Sequence, residues 1–457
     1  MQVAWRGIQQ EFRDVPSWSI GDRSKPLATN VRWRIMGLVT LITILTYLDR
    51  LNLSIAGKSI QDEFLLSNQT MGWILSAFLL GYALLQIPGG WAGDRFGPRN
   101  VLTVAILCWS VFTAMTALAP ALLIARWFGV VTSFLVVRFL VGVGEAASSP
   151  NNNKIVAAWI GSVHRGVGSS FTILGIGVAG ALTPPLISWT MQRYGWRSTF
   201  YAAGLFGIVV AFLWHWYVTD IPEEHPSVNS AELALISGMR KSKSLNSIAK
   251  GAQPPWGKMF RSRSIWGLTL GYLCQGYPIY FYHTWFFIYL VRTRHLTVEQ
   301  SGFWGTTPYL AIAILAPLGG IYSDGACRRF GKSLGRKITV WTGMFLSAIL
   351  LWIGSDTKDS NIAVLLLAIG GGFNMFAAVA YWATCIDLSE KFTGSISGLM
   401  NTFGNMGGWL SPIITAYIAT RWGWNHALAC AAAVTLASGV LFSLVDASRS
   451  LDDDEVT

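Results

Sequence analysis

Charge is scarce in this chain. Asp, Glu, Lys and Arg make up 12% of its 457 residues, about half the share of roughly 25% in soluble proteins, which excludes two or three ordinary soluble domains. Cysteine is scarce as well. Cys108, Cys274, Cys327, Cys385 and Cys430 lie far apart and mostly in apolar runs, so neither a disulfide framework nor a metal-ligand spacing is present. No Ser/His/Asp set, metal cluster or phosphate loop stands out, and these absences exclude an enzyme and any cofactor. Residues 1–32 hold no signal-peptide-like apolar run, so the first span is expected to act as an uncleaved anchor. Abundant instead are hydrophobic residues at 52%, with 22 Trp, 24 Phe and 47 Gly. This is the composition of a polytopic membrane protein, all-α, with aromatics for interfaces and glycines for close helix packing.

A membrane-crossing helix needs about 20 mostly apolar residues. Ten stretches of 18 or more residues carry no Asp, Glu, Lys or Arg: 64–93, 100–125, 166–192, 198–219, 264–291, 300–323, 338–355, 360–386, 392–420 and 422–445. Two more, about 35–57 and 127–153, are equally apolar but interrupted by charge, which gives twelve spans. With residues 1–33 inside, 24 of the 34 Lys and Arg fall in inner segments and flanks and eight in outer loops. Both termini are therefore expected in the cytoplasm, in a multi-pass plasma-membrane protein. The net charge of +11 is a topology signal, and nucleic acid is excluded as a partner.

The chain also repeats itself. At an offset of 228, Gly166 falls on Gly394, Gly180 on Gly408, Pro184 on Pro412, Arg193 on Arg421, and Gly195-Trp196 on Gly423-Trp424. PGGWAGD (88–94) falls on LGGIYSD (318–324) at an offset of 230. Residues 1–33 thus read as a tail, 34–218 and 264–446 as two pseudo-symmetric six-helix bundles, and 219–263 as a polar linker. Within that linker AELALISGMRK (231–241) suits a surface helix. The acidic end 447–457 reads as a solvated tail. Duplicated bundles place a binding site between their halves near mid-bilayer, which points to alternating-access transport.

GGWAGDRFGPR (89–99) resembles the Gly-x-x-x-Asp-Arg-x-Gly-x-Arg motif of the major facilitator superfamily, on Gly90, Asp94, Arg95, Gly97 and Arg99. A second copy keeps Gly320, Asp324, Arg328 and Gly331 with altered spacing. The resemblance implies glycines for close helix contact and charges that clasp helix ends in one conformation.

Only two spans carry charge, which costs about 2.5–3.5 kcal/mol at a span centre on insertion scales and commonly marks an ion or substrate path. TYLDRLNLS holds Asp49 and Arg50, and RFLVGVGEAASSP holds Arg138 and Glu145. Seven residues apart, Arg138 and Glu145 share a helix face about 10 Å apart along the axis, with Gly142 and Gly144 leaving room for a guanidinium or a ligand. Two arginines and two carboxylates sum to zero, and protonating one carboxylate leaves a positive cavity. That is a physical basis for coupling protons to anion uptake.

YLDRLNLS, RFLVGVGEAASSP, GWRSTFYAAG (195–204) and PWGKMFRSRSIW (255–266) resemble the anion:cation symporter family of that superfamily, across residues 30–445. The likeness is nearest to its bacterial sugar-acid carriers. It implies a proton-coupled symporter of organic anions, first among them a hexonate, hexarate or hexuronate. Residue by residue it implies Asp49 and Glu145 as proton-coupling carboxylates and Arg50 as holder of the substrate carboxylate. Arg138 becomes the arginine paired with the acidic residue, and Tyr47 and Tyr82 become cavity tyrosines. Gln275 becomes a substrate-binding amide, with Thr384 and Asn401 or Asn405 as further polar cavity positions. The stretch 117–134, longer than the family shows, either extends the fourth helix or forms an outer excursion.

Asn401 and Asn405, four apart, share a helix face. With Gln275 and Thr384 they suit the hydroxyls of a sugar acid. His283 reads as a relay, a contact or a silent hydrogen-bonded histidine. Gly175-x-Gly177-x-x-Gly180 fits a dinucleotide pattern but lacks the preceding strand, so helix packing is expected. The aromatics of span seven leave room for a planar or dicarboxylic acid. Two further readings are export of lipophilic cations against protons, which two cavity arginines oppose, and a non-transporting sensor. A monomer in the bilayer is expected, with protons as the coupling ion.

Overall fold

The computed structural model describes residues 27–237 and 253–452. Most of the expected inner tail, the linker residues 238–252 with the end of the expected linker helix, and the last five acidic-tail residues lie outside the described residues. Among the described residues, regular structure is helical throughout.

Twelve long helices account for the twelve spans. The first six are α1 (Val31–Phe64), α2 (Asn68–Phe96), α3 (Pro98–Leu118), α4 (Val130–Trp159), α5 (Arg165–Tyr194) and α6 (Trp196–Tyr217). In the second half α7 (Arg263–Thr284) continues as Phe286–Arg292. A run from Thr307 to Asp356 breaks at Gly331 into α8 (307–330) and α9 (332–356). The last three are α10 (Ser360–Leu388), α11 (Thr393–Trp422) and α12 (Trp424–Phe442). Several helices run past the charge-free stretches, because polar end turns lie beyond the apolar slab.

Turn chemistry repeats between the halves. Gly97, Gly195, Gly331 and Gly423 have φ of 88°, 79°, 79° and 90°. Each reverses the chain between two helices in a conformation that side chains resist. Caps start other helices: Ser67 accepts from the Thr70 N–H on α2, and Asp359 from the Ile362 N–H on α10. Glu232, from the short helix Ser230–Ser237, caps α1 from a distance. It accepts from the Val31 and Arg32 N–H groups (3.2 and 3.1 Å) and the Thr29 hydroxyl (2.6 Å). A carboxylate there answers both the open amides and the positive helix end.

The long stretch before α4 is an excursion between α3 and α4, on the face opposite the 219–262 connection. Ala119–Ala121 form a tight turn around Pro120, Leu123–Phe128 form a short helix with no buried residue, and Gly129 (φ 87°) turns the chain into α4. Proline ends α3 because it cannot continue the hydrogen-bond ladder.

Large exposed side chains such as Trp73, Leu84, Leu205, Trp216, Ile314, Trp409 and Val440 cover the outside of the bundle, as expected of a surface in contact with lipid. Each half has its own apolar core, one around Trp109 and Trp159, the other around Tyr289, Leu351 and Tyr381. Between the halves the backbones meet at glycines. A Cβ on Gly90 would lie 2.1 Å from the Gly394 carbonyl oxygen, and one on Gly177 2.7 Å from that of Tyr309. Gly175 packs on α1 and Gly180 on the Tyr309 ring, so the apparent dinucleotide pattern is helix packing.

Candidate functional site

A cavity lies between the halves and is lined by both. In the first half it is lined by Thr43, Tyr47 and Arg50 of α1, Tyr82 of α2, Ser149 of α4 and Ile173 of α5. Facing them are Tyr272, Gln275, Tyr280 and His283 of α7, Trp382 of α10, and Asn401 and Asn405 of α11.

Arg50 is the charged group of the wall. Its guanidinium lies over the rings of Tyr82, Tyr47 and Phe78, at 4.4, 5.0 and 5.2 Å from their centroids. Its Nε donates to Glu145 Oε1 at 2.7 Å, its Nη2 donates to the same oxygen, and Nη1 has no partner among the described residues. Glu145 is fully buried behind it, with Oε2 lacking a donor.

Asp49 and Arg138 are present but set back. They are 1% and 2% exposed and do not line the cavity. Arg138 lies 5.2 Å over the far-side ring of Phe78, its Nε and Nη1 without acceptors, and neither Asp49 oxygen completes a hydrogen bond. Two expectations are therefore corrected: Arg138 is not a cavity residue, and the partner of Glu145 is Arg50. Although Arg138 and Glu145 share a helix face, Arg50 enters from α1 and occupies the carboxylate. The expected room at Gly142 and Gly144 is filled by neighbouring helices. A Cβ on Gly142 would lie 2.2 Å from the Phe78 carbonyl oxygen, and one on Gly144 3.0 Å from the Trp109 nitrogen.

The second-half wall presents acceptors. Gln275 Nε2 donates to Asn374 Oδ1 (2.6 Å), and Asn401 Nδ2 donates to Gln86 Oε1 (3.0 Å) and the Tyr82 hydroxyl (3.3 Å). Their own carbonyl oxygens, Oε1 and Oδ1, have no donor among the described residues. Asn405 accepts from the Tyr280 hydroxyl (2.9 Å) and donates to the Asn401 carbonyl. Thr384 is a correction. It is fully buried, donates to the Ala380 carbonyl (2.7 Å), and turns away from the cavity. Two residues earlier on α10, Trp382 takes the cavity face. Of the span-seven aromatics, Tyr280 lines the cavity; Tyr277, Phe281 and Tyr282 pack inward, and the Trp285 indole binds the Pro412 carbonyl.

Toward the face that carries the 219–262 connection, the cavity is sealed by a pseudo-symmetric lock. Asp94 at the end of α2 accepts from the Gly394 and Ser395 N–H groups (3.0 and 2.7 Å) and the Ser395 hydroxyl at the start of α11. Asp324 at the end of α8 accepts from the Gly166 and Val167 N–H groups, both at 2.8 Å, at the start of α5. Each aspartate thus caps a helix of the opposite half. Lys154 pairs with Asp94 at 2.9 Å. Arg165 pairs with Asp387 at 2.8 Å and also with Glu390. Arg336 bridges Asp324 (3.2 Å) and Asp387 (2.9 Å).

The expected clasp charges are partly corrected here. Arg95 stacks on Trp91 and Phe96. Arg99 binds the His215 carbonyl and, through its N–H, Asp220 within its own half. Arg328 is exposed, and Arg336 of α9 takes the place expected for it beside Asp324. Gly97 holds the reversal, where a Cβ would lie 2.3 Å from an Asp220 oxygen. The ion pairs of Arg165, Arg336, Asp387 and Glu390 carry no motif spacing. Their signal was the clustering of charge at the inner ends of four spans.

The sequence profile of the Major Facilitator Superfamily matches residues 39–408 and 285–455. The chain belongs to the major facilitator superfamily. It is 34% identical over 430 residues to a Bacillus subtilis protein named "Probable galactarate/D-glucarate transporter", covering 91% of this chain and 92% of that one. It is 30% identical over 423 residues to the D-galactonate transporter of Escherichia coli, covering 91% and 95%. The solved structure of the proton:xylose symporter superposes with a TM-score of 0.74 at 15% identity, covering 94% of this chain and 99% of that one, which supports the fold. This superfamily member is a multi-pass membrane transporter, not an enzyme.

Proposed function

We propose that the protein is a proton-coupled importer of a six-carbon sugar acid in the plasma membrane, with the face bearing the 219–262 connection in the cytoplasm. One observation carries the reading. A guanidinium with one free edge, Nη1 of Arg50, faces two amide oxygens, Oε1 of Gln275 and Oδ1 of Asn401, that lack donors. A carboxylate fits the first and hydroxyl groups fit the second. Relatives named for galactarate, D-glucarate and D-galactonate lend support.

Coupling follows from competition for Arg50. With Glu145 ionised, the guanidinium is engaged and the pair is neutral. Protonating Glu145 frees Arg50 for the substrate carboxylate, so charge at the site stays balanced when proton and anion enter together. Asp49 and Arg138, buried and without an ion pair between them among the described residues, supply a second acid and a second base beside the site. In this reading the closed lock belongs to an outward-facing arrangement. The halves then rock, the Asp94 and Asp324 caps open, and both ligands leave to the cytoplasm. An arginine on the cavity wall opposes the lipophilic-cation reading, because it repels such substrates.

The test is a thermal-shift series on purified protein with D-glucarate, galactarate and D-galactonate. Ligand at 100 times its Kd stabilises by about 2.7 kcal/mol. A shift that Arg50→Ala removes supports the reading; silence across the acids, with a shift from a lipophilic cation, overturns it.

A further inference from the structure

His283 stands in the cavity wall without a part in the scheme above. Its Nδ1 is 2.8 Å from the Tyr309 hydroxyl, its ring stacks on that tyrosine at 5.8 Å and 20°, and Tyr280 meets it edge-on at 5.5 Å. The imidazole is thus held at Nδ1 and by two rings. Its Nε2 has no partner among the described residues, and the residue lines the cavity. Tyr47 lies between the two polar ends of the site. Its ring centroid is 5.0 Å from the Arg50 guanidinium carbon and 6.2 Å from the His283 ring.

Tyr309 is itself fixed. Gly177 and Gly180 of the opposite half press on it, with a Cβ on Gly180 only 2.0 Å from its ring. Such a fixed ring aims Nε2 at one place in the cavity. When the Tyr309 hydroxyl donates to Nδ1, Nε2 carries the proton and donates to an oxygen of the ligand.

We propose that His283 is the specificity-determining residue for the substrate end remote from Arg50, hydrogen-bonding the far terminus of a six-carbon acid, with Tyr309 as its positioning residue. The inference rests on the sugar-acid reading. A short acid that reaches only Arg50 does not touch His283. A long acid with an oxygen-bearing far end spans both, and a buried donor left unpaired by a short ligand penalises it. The groups facing His283 are Arg50 and Tyr47 of α1, Tyr280 of α7 and Tyr309 of α8, none of them acidic. They leave the far end of the site suited to an oxygen anion or a hydroxyl.

The test compares D-glucarate with three-carbon D-glycerate, by binding to purified full-length protein. Variants are His283→Leu, His283→Gln and Tyr309→Phe. His283→Leu is expected to weaken D-glucarate at least tenfold and D-glycerate less than twofold. His283→Gln, which keeps a donor, recovers part of the loss, and Tyr309→Phe falls between. Unchanged D-glycerate binding also shows that the variants are folded. Equal loss for both acids, or no loss for either, overturns the assignment while leaving the sugar-acid reading intact. If the wild-type protein binds neither acid, the sugar-acid reading falls and this inference falls with it.

Discussion

Arg50 and Glu145 share a single carboxylate oxygen: two guanidinium nitrogens donate to Oε1, while Oε2 and Nη1 have no partners among the described residues. The pair is half-made, buried on the acid side and open to the cavity on the base side. In the proposed scheme a ligand carboxylate takes the place of Glu145 on Arg50. Removing one partner of a buried pair leaves an uncompensated charge, at a cost of about 3–5 kcal/mol.

Arg50→Lys is therefore a sharper probe than Arg50→Ala. It keeps the charge that balances Glu145 but loses the fork that serves two acceptors at once. D-Glucarate binding is expected to weaken at least tenfold while thermal stability without ligand changes little. Isothermal titration and a melting curve check both halves of that statement.

The inner lock makes a prediction about the amides it caps. In Asp94→Ala, Gly394 and Ser395 lose their acceptor and Lys154 loses its carboxylate, keeping the Glu390 and Lys391 carbonyls. Hydrogen–deuterium exchange across 392–397 is expected to rise at least tenfold, with a smaller rise across 165–168, where Asp324 still caps α5. Unchanged exchange at 392–397 would show that the cap does not hold the closed end.

Two glycines separate a packing role from a turn role. Gly90→Ala places a methyl group 2.1 Å from a backbone oxygen of the opposite half, which only a parting of the helices relieves. It is expected to leave the fold intact and to open the inner end, read by the same exchange at 392–397. Gly195→Ala meets nothing within 4 Å but sits at φ 79°. It is expected to lower stability by about 1–3 kcal/mol through strain alone, without a change at the inner end.

The acidic end is not wholly a solvated tail. Asp452 accepts from the Ser389 hydroxyl (2.6 Å) and the Glu390 N–H (3.0 Å), and the Leu451 N–H donates to the Leu388 carbonyl (2.8 Å). That turn carries Glu390, which pairs with Arg165. Asp452→Ala is expected to raise amide exchange at 389–391 about two- to tenfold, since each hydrogen bond contributes a net ~0.5–1.5 kcal/mol. Exchange at wild-type rates would mean the contact adds nothing to the lock.

Spans were legible in the chain because absence of charge over 18 residues has one physical cause. The repeat was legible because the single-residue turns at Gly195 and Gly423 demand glycine in both halves. Side-chain partners were not. Trp382 and Thr384 are two residues apart on α10, yet a helix turns about 200° between them, and apolarity on all sides hid which one faced inward. Arg138 and Arg50 were indistinguishable as candidates for Glu145, because the choice depends on how α1 packs against α4. Likewise Arg336, not Arg328, meets Asp324 across the Gly331 turn, a matter of tertiary geometry that motif spacing does not encode.

The central claim is that proton and organic anion enter together through exchange at Arg50. Its most direct test is luminal pH in proteoliposomes carrying a trapped pH dye, with no imposed gradient, after external D-glucarate is added. Acidification is expected with the wild-type protein. In Glu145→Gln, acidification is expected to disappear while exchange of labelled D-glucarate for D-glucarate persists. D-Glucarate entry without acidification in the wild type, or acidification undiminished in Glu145→Gln, would contradict the account.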